Sequence, residues 1–237
     1  MRFGLVFSWC LVIYTCWATV DDNPFISKWD TSQPGISANT QITLPLVSSG
    51  SYDFDVNWGD GSTAHITSFK QPEVTHTYEK KGKYTITIKG LIKGWRFNGG
   101  GDALKLIDIS HWGDLKVGNK GKYFKGCANL RGSFVDKLDT SGTTNFREFF
   151  AGCSKFNGDI SDWDTSEVRN MHSMFHKALK FNSDISAWDT SEVTNMKLLF
   201  HTALSFKGNI DHWDVGMVTS FDFMFGPRGG PGQHTGL

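Results

Sequence analysis

The 237-residue chain has only four cysteines, and two of them, Cys10 and Cys16, fall near its start. Cys127 and Cys153 are then the only thiols further along, which leaves room for at most one bridge between them. Charge of one sign is not in excess: 24 Lys and Arg balance 24 Asp and Glu. No basic field therefore advertises nucleic acid or an anionic membrane. After the first twenty or so residues there is no long apolar run, so no second membrane-span candidate arises. No GxSxG, P-loop or HExxH stretch occurs, and without a strand-elbow-helix context no Ser-His-Asp triad can be argued. No Asn-x-Ser/Thr sequon is present either. No enzymatic activity and no cofactor are expected.

What the chain does have is repetition. "FNGDISDWDTSEVRNMHSMFHKALK" from Phe156 is followed at once by "FNSDISAWDTSEVTNMKLLFHTALS" from Phe181. Trp163, Trp188 and Trp213 are 25 residues apart, as are Phe156, Phe181 and Phe206; Ile160, Ile185 and Ile210; and Phe175, Phe200 and Phe225. One copy earlier, Val135, Leu138, Phe146 and Phe150 fill the slots of Ile160, Trp163, Met171 and Phe175. The first step is 26 residues: Ile109, Trp112, Phe124, Cys127 and Leu130 match Val135, Leu138, Phe150, Cys153 and Phe156. About five copies between 104 and 225 mean a stacked array whose units bury their apolar sides on one another. Val168, Met171, Phe175 and Ala178 recur at helical steps, and Asp164/Glu167 and Asp189/Glu192 have capping-box spacing. The spacing predicts a short helix over about 165–177 in each copy, with an extended rung at "NGDIS" and the Trp row packed inward. The last copy reads "WDVGMVTS", lacks the Glu, and runs into Gly226-Pro227-Arg228. It leaves an open apolar end, for the tail or further chain to cover.

The N-terminal stretch "MRFGLVFSWCLVIYTCWATVDD" has an early Arg, an apolar run and a small residue before acids, the pattern of a cleaved signal peptide over 1–18. As a membrane span it would be marginal in length, and neither Cys10 nor Cys16 sits in a good lipobox. Residues 23–100 read differently. Phe54, Val56 and Trp58 alternate before a Gly59-Asp60-Gly61 turn. Tyr84, Ile86 and Ile88 alternate after Gly82, and "ISANTQITLPLV" is a third strand candidate. Strands at short spacing with Gly and Asp turns predict a small β-sandwich. Residues 226–237 form a Gly/Pro-rich tail with no hydrophobic anchor.

Several residue sets invite chemistry. The rows Asp159/Asp184 and Asp164/Asp189/Asp214 could line up as calcium ligands, but they also fall where backbone capping is needed. His172, His176 and His201 could meet on zinc, yet "HSMFH" carries no general base, and a polar face beside the apolar stripe accounts for them. Asp60 in "WGDG" reads as turn chemistry. The Trp row could be an exposed sugar ladder or a buried core, and its register with Leu138 favours the core. Cys127 and Cys153 share one small inward slot. They are either buried free thiols acting as small apolar residues or a disulfide between neighbouring rungs.

"WGDG" followed by "HTY" and "GKYTITI" resembles a polycystic-kidney-disease (PKD)-type domain. "NPFISKWDTS", "GDALKLIDISHWGDLK" and "FKGCANL" leading into "FNGDISDWDTSEVRNMHSMF" resemble the BspA-like family of leucine-rich-repeat surface proteins. Their repeat is also described as a domain of unknown function, DUF285, first noted in mycoplasma proteins. The resemblance implies an α+β chain, a PKD-like β-sandwich at 23–100 followed by a leucine-rich-repeat-like solenoid at 104–225. It further implies a secreted or cell-surface protein that binds or adheres to an extracellular protein or glycan, with no catalytic residues. The alternatives are an accessory part of an extracellular carbohydrate hydrolase and a structural spacer.

Overall fold

The computed structural model describes residues 23–226. The expected signal peptide lies outside these residues, as does all of the tail beyond Gly226. Eight strands run β1 Phe25–Asp30, β2 Gln41–Thr43, β3 Leu46–Asn57, β4 Thr63–Ile66, β5 Thr75–Thr77, β6 Lys83–Trp95, β7 Leu106–His111 and β8 Leu115–Lys116. The main sheet has the order β4-β3-β6-β1-β7, with β8 parallel to β6, and β2 pairs β5 in a separate two-stranded ribbon. Period-two alternation is what builds it. Phe54, Val56, Ile86 and Ile88 are buried while Asp53, Asp55, Thr85 and Lys89 between them face outward or sit at the rim. The PKD-like expectation for this part agrees with that arrangement. β7 comes from the first repeat copy and pairs antiparallel with β1, so sheet and repeats share one core.

The α+β class is overturned. Among the described residues there is no α-helix, only the 3-10 turns Pro72–Val74 and Ala103–Lys105. The expected leucine-rich-repeat-like solenoid, with a helix in every copy, is replaced by helix-free rungs, and no strand forms at "NGDIS". Where a helix would bond each N–H to the carbonyl four residues back, alternate residues here bond to the next copy. Met171, Ser173, Phe175 and Lys177 donate to the carbonyls of Asn195, Lys197, Leu199 and His201 at 2.9–3.0 Å. Parallel bridges link Asn145 to Asn170, Asn170 to Asn195, and Asn195 to Ser220. Within a rung the corners close with three-residue bonds such as Met174 N to Met171 O and Ala178 N to Phe175 O. Two corner residues are left-handed, Ser173 (φ 56°) and Lys177 (φ 59°), which no α-helix tolerates in sequence. Their counterparts Glu148, Leu198 and Phe223, and Gly152 and Thr202, repeat the geometry. The apolar three- and four-residue spacing is thus produced by successive corners.

The ladder starts in the N-terminal sheet. Phe97, Asn98 and Gly99, just past β6, donate to Tyr123, Lys122 and Lys125; Lys122, Phe124 and Gly126 donate in turn to Arg147, Phe149 and Ala151. Inside, like stacks on like: Phe175 on Phe200 at 5.7 Å, Phe181 on Phe206 at 5.7 Å, Trp188 on Trp213 at 6.4 Å. Val135 departs from its expected inward slot and is 80% exposed, while Phe134 packs against Trp112 at 5.0 Å. The departure falls at the 26-residue step, where Asp136 takes the amides of Trp112 and Gly113. It also coincides with a missing bond. Trp188 and Trp213 give their indole N–H to Ile160 and Ile185, 28 residues back, whereas Trp163, for which the equivalent acceptor position is Val135, has a buried N–H without a partner.

Candidate functional site

Each repeat builds three polar rows around its apolar interior. In the first, Asp159, Asp164 and Asp189 accept both the amide and the hydroxyl of the Ser two residues on, at 2.7–3.1 Å. Those bonds hold the three carboxyls below the usual carboxylate range. The rows are turn caps, although the helix that the capping box announced does not follow. In the second row, buried Thr140, Thr165 and Thr190 donate to Asp164, Asp189 and Asp214 carbonyls at 2.7–2.8 Å. In the third, Asn145, Asn170 and Asn195 accept the amide two residues on at 3.0 Å. Every one of these polar groups is spent on holding the backbone in its corners, a use that short polar side chains favour.

No group of three metal-ligating side chains converges among the described residues. Each Asp commits its Oδ1 to the following Ser, and among the described residues no third ligand converges on the carboxylate oxygen left over. The Tm should therefore stay the same in EDTA and in millimolar calcium. Differential scanning calorimetry checks this; a calcium-dependent rise of several degrees would mean that the rows bind the ion in the native state.

The histidines do not form a ligand set. His176 stacks on His201 with ring centroids 5.1 Å apart, and His172, His176 and His201 each have a buried Nδ1 without a partner. Burial pushes His172 and His176 below the ordinary imidazole value, aided by Arg147 at the first and by His201 at the second. Both are thus biased to the neutral ring, and His176 lies on His201 in a stacked pair.

Asp60 sits in the turn between β3 and β4. It accepts Ser62 N at 3.0 Å and Ser62 Oγ at 2.5 Å, and it pairs with His76 at 2.7 Å. Burial alone would raise this carboxyl, but those partners outweigh it and hold it at about 2. His76 is itself stacked on buried Trp58 at 4.9 Å. "WGDG" with the later His is a turn lock: the acid clamps its own loop and the imidazole ties that loop to β5.

Cys127 and Cys153 are both fully buried and stand unbridged on adjacent rungs. Cys153 Sγ donates to Phe124 O at 3.1 Å. Burial pushes both thiols up, Cys127 well above its ordinary value, so neither is a thiolate nucleophile at neutral pH. The Trp row is core, at 3–7% exposure. Of the variable outer positions, Asp162, Ala187 and His212 are exposed and form one row. Thr194 and Thr219 belong to the scaffold, since each hydroxyl bonds to the rung before it, at Arg169 O and Thr194 O.

One polar pair escaped the sequence. Asp102 and Lys105 have fully buried side chains 3.4 Å apart. Lys105 Nζ donates to the carbonyls of Ser37, Ala38 and Gln41 and to Ser37 Oγ at 2.6–3.0 Å. Asp102 accepts from Ser37 N, Ser37 Oγ and Thr43 N. Gly35 is required beside it, because a Cβ there would stand 2.2 Å from Asp102 Oδ1. The signal available was an Asp-x-x-Lys step set between the apolar residues of "GDALKLI".

A two-sheet β-domain passing its hydrogen-bond ladder to similar stacked rungs defines a modular scaffold. Residues 14–90 match the family model of the PKD domain, a domain type typical of extracellular proteins. Residues 103–229, more than half of the chain, match the model described as "Mycoplasma protein of unknown function, DUF285", and the chain belongs to that family. No curated protein and no solved structure matches it. No helix among the described residues is long and apolar enough to cross a membrane.

Proposed function

We propose that the chain is a secreted or cell-surface binding or adhesion module, akin to BspA-like surface proteins, that meets an extracellular protein or glycan noncovalently along its stacked repeats. The observation that supports this is the division of labour within each repeat. The inward aromatic rows and the Asp, Thr and Asn caps repeat the same side chains, because stacking and backbone capping dictate them. The exposed row Asp162, Ala187 and His212 differs in every copy. Regular rungs present such a row as an extended face whose chemistry can vary at no cost to the fold. The PKD domain at the N-terminal end fits the same extracellular setting.

Capture of extracellular-matrix proteins and binding on a glycan array by the full chain test the reading. Asp162→Ala and His212→Ala should each weaken the binding found by about 1–2 kcal/mol, since contacts spread over several rungs dilute each one. Binding that is indifferent to both substitutions would show that the repeat face is not the one used.

A further inference from the structure

A groove of about 830 Å³ lies where the N-terminal sheet meets the first rungs. Its walls are the bulged start of β3, the outer face of β6, the loop after β8 and the turn at 141–143. Four cationic side chains line it, Lys93, Arg96, Lys116 and Lys120, and no acidic residue does. The balanced charge of the whole chain hides this cluster, because its members are spread over 28 residues of sequence and only the β6–β8 pairing, with Lys93 opposite Lys116, brings them together. Two of the four are engaged. Arg96 is fixed by Gly121 O at 3.0 Å and Asn98 Oδ1 at 3.1 Å, and Lys116 pairs with Asp139. Lys93 and Lys120 are exposed and have no ion-pair partner among the described residues. Asp53 and Asp55 on the outer face of β3, opposite Leu91 and Lys89, do not line the groove and contact His65 at 3.2 and 2.8 Å.

We infer that this groove is a binding site for an acidic oligosaccharide, sulfated or rich in uronate. The lining chooses among ligands. Neutral sugars are usually held by aromatic faces, which complement their C–H surfaces, and this groove offers none. An acidic sugar carries an anion on most of its rings and is held by ammonium and guanidinium groups. Lys93 and Lys120 supply free charge, Arg96 supplies a preoriented one, and the hydroxyls of Ser49, Ser141 and Thr143 supply uncharged partners. Leu91, half exposed, and Val117 form an apolar floor between the charges. The groove shares no lining residue with the variable repeat row, and the inference does not depend on the reading of that row.

The probe is a heparin-derived octasaccharide, titrated into the full chain by calorimetry. Binding should weaken about tenfold or more between 50 and 300 mM NaCl, as charge pairing in an open groove requires. Lys93→Glu and Lys120→Glu should each cost about fivefold or more, and the pair more than either. Lys180→Glu with Lys207→Glu, both exposed on distant rungs, should change affinity less than about twofold. Circular dichroism establishes that all variants are folded, and the groove variants should leave binding at the Asp162 row intact. The inference is overturned by no binding, by equal loss in the distant control pair, or by equal binding of the desulfated octasaccharide. It is also overturned if a poly-glutamate peptide or single-stranded DNA of matched charge competes equally well.

Discussion

Trp188→Ala should destabilise the chain by about 3–5 kcal/mol, the range for truncating a buried Trp or Phe. Trp188 is 4% exposed, lies between Phe175 and Trp213 at 6.2 and 6.4 Å, and gives its indole N–H to Ile160 O at 3.0 Å. The substitution opens a cavity between two rungs and leaves the Ile160 carbonyl without that donor. The expected loss approaches the whole stability of many domains. Thermal melting followed by near-ultraviolet circular dichroism reads it. A cooperative melt within a few degrees of the parent would show that the row is not core, and an exposed ladder for sugars would then be the better account.

Lys105→Met should cost a similar amount, about 3–5 kcal/mol, for a different reason. The substitution keeps most of the side-chain volume but removes a buried charge with four oxygen partners. Asp102 would remain as a buried carboxylate without its counter-ion, and three carbonyls of the 37–41 loop would each lose one donor. The double variant Asp102→Asn with Lys105→Met should be less destabilised than the sum of the two single changes, since it removes both charges together. Urea denaturation of the three variants measures the cycle. Strict additivity, or a loss below about 1 kcal/mol for Lys105→Met, would mean that the pair does not act as a unit.

The sequence made some of this plain. A 25-residue period with Trp and Phe in fixed register led directly to stacked copies with an inward aromatic row, because identical side chains on consecutive rungs must lie over one another. Alternation at Phe54/Val56 and Ile86/Ile88 led to β3 and β6. The helix was misread because spacing records which residues face inward and not how the backbone turns between them. Met171, Phe175 and Ala178 face inward through corners at Ser173 and Lys177, and both residues accept φ near 60° without a glycine to announce it. Asp164 and Glu167 looked like a capping box because a turn cap and a helix cap use the same side-chain-to-amide bond. Val135 was assigned inward by register, yet the one-residue insertion before it hands that role to Phe134. The Asp102–Lys105 pair and the junction groove were not legible, since each depends on contacts across strand pairings that no local pattern encodes.

The continuous ladder from Phe97–Gly99 through Lys122–Gly126 to the later rungs bears on how the chain folds as it is made. The main sheet is complete except for β7 and β8 once β6 has emerged, and the segment just past β6 offers the first open edge. Each later rung then needs only the one before it, already on the growing stack, to supply amide donors for its carbonyls and an apolar floor. Contacts between rungs span about one repeat however long the array becomes, so the loop-closure entropy per added rung stays constant. Synthesis from the N-terminus therefore runs in the direction in which the structure can extend, and the β-domain serves as the seed that spares the repeats a nucleation step of their own.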